Sequence, residues 1–144
     1  MPKPTVNILK EKNSGDFLVE HFAVHPKIGA SVGWRMRDRF SRGEFQKIGL
    51  DSVLKSLRDY PLRKNADQQI KVFRVTGAKG SLDDVKAHIC LGVRVNSPGA
   101  LALSPTHRER GGYVGHRDDE IQLKLPCTPD QFFQQIEKTF ELCS

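Results

Sequence analysis

The sequence predicts a single α+β domain over residues 1–144, in which two helices pack on one face of a mostly antiparallel sheet of about six to seven strands. Three observations lead to this fold class. The length of 144 residues suits one domain with a core of its own. Strand patterns follow one another in consecutive runs, with one helix pattern among them and one at the end, in the order β-β-β-α-β-β-β-β-α. This order lacks the repeated βαβ alternation of a parallel sheet, which favours antiparallel pairing.

Three strands are predicted in the N-terminal part. Thr5–Lys10 and Phe17–His25 carry strand patterns, and the Asn-Ser-Gly-Asp cluster between them predicts a turn. In the third strand, Ala30–Phe40, Trp34 and Met36 occupy an apolar register of even positions. Because successive side chains of a strand point to opposite faces, these two are expected in the core, with arginines on the other face.

The first helix is predicted to begin at Asp51, whose carboxylate can accept hydrogen bonds from the first free amides. Apolar residues then recur at helical spacing, and Pro61 ends the helix near Tyr60. The preceding Glu44–Leu50 is a candidate extra turn, but Gly49 disfavours a helix in this stretch.

Four more strands are predicted after this helix. Gln69–Thr76 is apolar on both faces, which is typical of a central strand. Val85–Val95 has the cleanest alternation in the chain and predicts a long strand, with a short helix over Ser81–Lys86 as the competing interpretation. Two shorter strands are predicted at Ala100–Leu103 and Glu120–Leu125.

Turn and loop signals separate these strands. The Asn-Ser-Pro-Gly sequence at residues 96–99 is a strong turn signal. Pro105–Arg117 is rich in glycine and charge, which predicts a loop.

The final helix is predicted from local signals. Thr128 is an N-cap candidate, Pro129 takes the first helical position, and Gln131 completes a capping box. Four apolar residues then form one stripe that should face the sheet: Phe132, Phe133, Ile136 and Phe140.

Composition limits the possible functions. The N-terminus has no apolar segment typical of a secretory signal, and no apolar run is long enough to span a bilayer. The three cysteines, without a Cys-x-x-Cys pair, favour reduced thiols and therefore a cytoplasmic protein. The net charge of +6 permits acidic protein partners or nucleic acid. No cofactor signature or metal-ligand spacing is present in the sequence, so neither a cofactor nor a metal is predicted.

The most suggestive basic feature is an arginine stripe in the third predicted strand, made of Arg35, Arg37 and Arg39 with Arg42 just beyond. Guanidinium groups on one face can bind carboxylates or phosphates in a bidentate manner. The alternative is a solvated or self-paired face, because neighbouring strands carry Glu and Asp residues that can form cross-strand ion pairs.

The predicted loop supplies a second group of candidate binding residues, namely Arg108, Arg110, His116 and Arg117. Long polar loops often carry function. His116 with Asp118 or Asp119 could also act as a general base, but a mixed-charge surface loop is the simpler interpretation.

Three function classes remain open. The favoured class is a non-catalytic intracellular binding domain that engages an acidic protein partner, as an inhibitor, an immunity protein or an adaptor. The first alternative is a nucleic-acid-binding protein that uses the arginine stripe, although the exposed face lacks stacking aromatic residues. The second is a small hydrolase that uses His116 and a neighbouring aspartate, so catalysis stays open but is not favoured.

Overall fold

The computed structural model describes residues 4–24, 31–60, 85–109, 112–115 and 119–143, except for the side chains of residues 23–24, 31–36 and 112. Within this part, all strand pairs are antiparallel and form one seven-stranded sheet. The strands are β1 (Thr5–Glu11), β2 (Phe17–Val24), β3 (Ser31–Phe40), β4 (His88–Ser97), β5 (Ala100–Glu109), β6 (Gly112–Gly115) and β7 (Ile121–Lys124). The two long helices are α1 (Arg42–Arg58) and α2 (Pro129–Glu141).

The sheet order is β3-β2-β1-β4-β5-β6, and β7 also pairs with β5. The first residues of β5 pair with β7, and its last residues pair with β6. Both helices pack on the same face of the sheet, around a core that includes residues from β1, β2, β4, β5 and β7. The predicted α+β class, the antiparallel sheet and the two helices on one face are therefore confirmed.

Aromatic packing joins the helices to the sheet. The rings of Phe17 in β2 and Phe45 in α1 stack with centroids 4.6 Å apart, and both side chains are fully buried. Phe133 of α2 meets both rings in tilted contacts with centroids 5.8 and 6.2 Å away. Such contacts between large buried rings are a main source of hydrophobic stabilisation in this core.

The first helix begins earlier than the sequence predicts. Ser41, not Asp51, is the N-cap, and its hydroxyl accepts from the Glu44 amide while the Glu44 carboxylate accepts from the Ser41 amide. Gly49 lies inside the helix. A Cβ at this position would lie 2.7 Å from the Phe45 ring, which is why a glycine fits here. Tertiary packing therefore explains the glycine that disfavoured a helix in this stretch.

The second helix agrees with its prediction. Thr128 is the N-cap of α2, and its capping box with Gln131 is complete. The predicted apolar stripe is buried against the core.

Two strand predictions need correction. Residues 85–87 are helical and β4 begins at His88, so the competing helix prediction is correct for Val85 and Lys86 and the strand prediction is wrong there. The loop prediction for Pro105–Arg117 is wrong, since β5 continues to Glu109 and β6 occupies Gly112–Gly115. These charged residues form a strand because backbone pairing with β6 satisfies their amides and carbonyls, while side chains at the sheet end stay exposed. The predicted strand Gln69–Thr76 lies outside the described residues.

The opposite face of the sheet carries a smaller apolar cluster. Leu9, Leu18 and Cys90 are at most 2% exposed, and Tyr113 packs against them. The hydroxyl of Tyr113 donates to the Val85 carbonyl at 3.1 Å. Over part of their length, β1 and β4 are therefore buried on both faces of the sheet.

Candidate binding surface

The register between β2 and β3 places two residues of the arginine stripe on the sheet face opposite the helices. Arg37 lies across from Glu20, and Arg39 lies across from Leu18. Leu18 belongs to the small apolar cluster rather than to the helix-side core. The alternation within β3 therefore orients Arg37 and Arg39 as predicted, away from the helices.

Arg37 is bound within the protein. Its Nε and Nη2 atoms each lie 2.8 Å from Oε2 of Glu20, and its side chain is only 3% exposed. The amide of Asn7 on β1 donates to the other carboxylate oxygen of Glu20 at 3.1 Å. The result is a buried ion pair whose hydrogen bonds connect three strands, so the main role of Arg37 is to hold the sheet together.

Arg39 is more exposed but is also paired. It binds Glu11 of β1 at 2.7 Å and Asp16 at 2.8 Å, and 44% of its side chain is exposed. The hydrogen bond from Arg39 is the largest of several effects that lower the pKa of Glu11 from its usual 4.5 to about 2. The same carboxylates raise the pKa of Arg39, so both partners stay charged at neutral pH.

Arg42 lies on the other side of the molecule. As the first residue of α1, it contacts Glu137 of α2 at 2.6 Å and places its guanidinium 5.1 Å from the Phe133 ring centroid. The chain turns into the helix layer at Ser41, and this turn separates Arg42 from the β3 arginines. Arg42 therefore supports the helix-helix contact, and the four arginines predicted as one group do not share a face.

Arg108 is exposed near the end of β5, directly opposite Tyr113 of β6. No ion pair joins it to another described residue, in contrast to its neighbour Glu109, which pairs with His107 at 2.8 Å. Four strand spacings separate Arg39 and Arg108, a distance of about 19 Å across the sheet. The side chain of Arg35 and residues Arg110, His116 and Arg117 lie outside the described part, as does Asp118.

A further ion pair on this face, between Arg94 and Glu120, was not predicted from the sequence. The guanidinium of Arg94 on β4 binds both carboxylate oxygens of Glu120, and the Ser104 hydroxyl donates to the same carboxylate at 2.5 Å. Arg94 occupies a polar position in the alternating pattern of its strand, and this position is the sequence signal that Arg94 lies on the sheet face opposite the core. Its partner could not be found in advance, because pairing depends on β5 lying between β4 and β7.

Ser56, His21 and Asp38 form a hydrogen-bonded chain between α1 and the sheet. The Nδ1 atom of His21 lies 2.7 Å from the Ser56 hydroxyl, and its Nε2 atom lies 2.8 Å from the Asp38 carboxylate. The residue types match a catalytic triad, but the burial is reversed: Ser56 is 6% exposed, whereas the Asp38 side chain is 60% exposed. A buried serine within a helix cannot reach a substrate carbonyl, so this chain positions α1 on the sheet.

Other chemical groups in the described part offer little reactivity. No cluster of His, Cys, Asp and Glu there could hold a metal ion. Burial raises the pKa of the Cys127 and Cys143 thiols, which makes both poor nucleophiles at neutral pH. No helix in the described residues is long and apolar enough to cross a membrane.

Neither a protein-family model nor a curated protein matches this sequence. Solved structures do resemble its fold. One is "Protein of Unknown Function NMB0488 from Neisseria meningitidis", with a TM-score of 0.72 and 11% identity over 99% of this chain and 96% of that chain. Another is a chain of the CdiA-CT/CdiI toxin and immunity complex from Yersinia pseudotuberculosis, with a TM-score of 0.63 and 11% identity over 100% of this chain and 99% of that one. At this identity, the likeness establishes a shared fold.

Proposed function

We propose that this chain is a non-catalytic binding protein of the immunity type, which neutralises a protein toxin by forming a stable complex with it. The observation that carries the proposal is the likeness in fold, over the whole chain, to a chain of a toxin and immunity complex.

The partner is proposed to be acidic and to contact the sheet face opposite the helices. Arg39 and Arg108 are partly or fully exposed there and lie far enough apart to contact separate groups on one partner. The side chain of Arg35 and the residues Arg110 and Arg117 lie outside the described part, and they stay candidate binding residues from the sequence. Charges at the edge of such an interface would mainly speed association.

The first test is affinity capture from native lysate at low and moderate salt, followed by reconstitution with the purified partner. We expect one stoichiometric protein that survives moderate salt. When expressed alone, this protein should arrest growth, and co-expression of the chain should restore it. Capture of no protein, or of one whose expression leaves growth unchanged, would contradict the immunity role.

Matched charge reversals test the surface. Arg108→Glu should slow association with the partner by about three- to tenfold. Lys138→Glu makes the same charge change on α2 in the helix layer and should leave the rate nearly unchanged. Equal effects of the two variants would show that net charge, rather than this face, controls binding.

Nucleic-acid binding is the second candidate, supported by the net charge of +6. It predicts that nucleic acid elutes with the chain at low salt and leaves steeply as salt rises. The internal pairing of Arg37 and Arg39 with carboxylates is the reason to rank it below a protein partner.

A further inference from the structure

An apolar groove lies between the end of α1 and the turn that joins β4 to β5. Leu54, Leu57 and Arg58 of α1 form one wall. Val95 and Ala100 contribute to the other, which Leu125 extends after β7. This groove is separate from the arginine-bearing face, because Leu57 and Val95 belong to or pack against the helix-side core.

The groove is formed by fixed backbone. Gly99 adopts a positive φ of 77°, which allows the tight turn after β4. The amide of Leu125 donates to the Gly99 carbonyl at 2.8 Å, which ties the turn to the segment after β7. On the opposite wall, Leu57 is 5% exposed and anchored in the core. A preformed groove of this kind can bind a ligand without the free-energy cost of rearranging its walls.

Its size and charge define the occupant. The cavity volume is about 250 Å³, below the range of about 300–1,000 Å³ that is typical of small-molecule sites. One large apolar side chain fits this space, as in the anchor residues of protein interfaces. Arg58 is exposed and is the one charged side chain among the described residues that line the groove, so it favours carboxylates next to the anchor.

We propose that this groove binds one apolar side chain carried on an acidic segment of the protein partner. The inference deepens the proposed function and rests on it for the existence of that partner. It also gives the partner a second contact, on a different side of the molecule from Arg39 and Arg108.

A peptide titration tests the groove without the natural partner. The probes are two end-blocked peptides, Glu-Asp-Leu-Asp-Glu and Glu-Asp-Ala-Asp-Glu, added to ¹⁵N-labelled protein and followed by NMR. With the leucine peptide, we expect saturable amide shifts centred on Val95, Ala100 and Leu125. The alanine peptide should bind at least about fivefold more weakly, since it lacks the anchor. Equal binding of the two peptides, or shifts centred elsewhere, would overturn the proposal.

Two variants on the same helix turn locate the carboxylate contact. Arg58→Glu should weaken the leucine peptide about five- to tenfold, whereas Lys55→Glu, which makes the same charge change outside the groove lining, should change affinity less than twofold. Both positions are exposed, so both variants should fold, and a thermal melt checks this. Equal losses in the two variants would refute a contact at Arg58.

The captured partner separates this proposal from the proposed function. A toxin that binds wild-type protein and the Arg58→Glu variant with equal affinity would support the immunity role and overturn the groove. A toxin whose affinity falls at least about fivefold with Arg58→Glu, but not with Lys55→Glu, would support both. Failure to capture any toxin would defeat the proposed function and, with it, the groove's assignment to a toxin.

Discussion

Removal of the negative charge from Glu20 should destabilise this fold more than the same change at Glu11. Both carboxylates bind an arginine of β3, but the pairs differ in burial. The side chains of Arg37 and Glu20 are 3% and 9% exposed, whereas those of Arg39 and Glu11 are 44% and 24% exposed. Loss of one partner from a buried pair leaves a charge in a poorly solvated site, and such changes cost about 3–5 kcal/mol.

The substitution Glu20→Gln is therefore expected to lower the free energy of unfolding by about 3 kcal/mol. Its amide keeps the size of the side chain and can still accept from Arg37, so the value lies at the low end of the range. Glu11→Gln should cost about 1 kcal/mol or less, because water screens the exposed pair. For a domain of this size, the larger loss corresponds to a fall in melting temperature of roughly 6–12 °C.

Urea unfolding followed by circular dichroism at pH 7 measures both values, provided that the slope of the free energy with urea stays constant. A double variant supplies a further check: Glu20→Leu with Arg37→Met removes both charges together and should recover most of the lost stability. Similar small losses for Glu20→Gln and Glu11→Gln would refute the argument, because burial would then not determine the cost.

Three further predictions follow from local geometry. Gly49→Ala should lower the free energy of unfolding by about 1–3 kcal/mol, since its Cβ would meet a fully buried ring at 2.7 Å. Gly43→Ala on the same helix is the control: its Cβ meets nothing within 4 Å, so urea unfolding should show no loss or a gain in stability. The lowered pKa of Glu11 stabilises the folded state above its unfolded pKa of 4.5, and this contribution is lost as pH falls toward about 2. The urea midpoint should therefore fall less over this pH range in Arg39→Met than in the wild type. Iodoacetamide should label Cys143 at pH 8 at least about tenfold more slowly in the native protein than in urea, because burial raises the pKa of its thiol, and equal rates would contradict this.

Local signals in the sequence determined α2 fully but α1 only in part. The cap, proline and apolar stripe of α2 are all sequence-local, so they could be identified without a structure. A Ser-Arg-Gly-Glu capping box at Ser41 was also present in the sequence and could have located the start of α1. Gly49 argued against a helix in this stretch. Its presence is explained by the packing of Phe45 against Phe17, which leaves no room for a side chain at position 49 and cannot be read from the sequence.

Strand pairing accounts for what the sequence could not predict about the candidate surface. The alternation in β3 correctly gave the orientation of Arg37 and Arg39, and acidic partners on neighbouring strands were one of the alternatives considered. The assignment of Glu20 to Arg37 and Glu11 to Arg39 depends on β2 and β1 lying next to β3 in order. Strand order is a global property, and no local pattern encodes it.

The internal pairing of the arginines changes what a partner must provide. An isolated guanidinium stripe would attract any polyanion, and binding would weaken steeply with salt as counterions are released. Here Arg37 and Arg39 already have carboxylate partners, so a ligand gains little by supplying phosphates to them. The charge attraction of an acidic partner therefore falls mainly to Arg108, which is exposed and forms no ion pair with another described residue. At the paired arginines, a partner gains more from hydrogen bonds that match their fixed positions than from charge attraction. Such recognition depends on shape and weakens only gradually with salt, which favours a dedicated protein partner over nucleic acid.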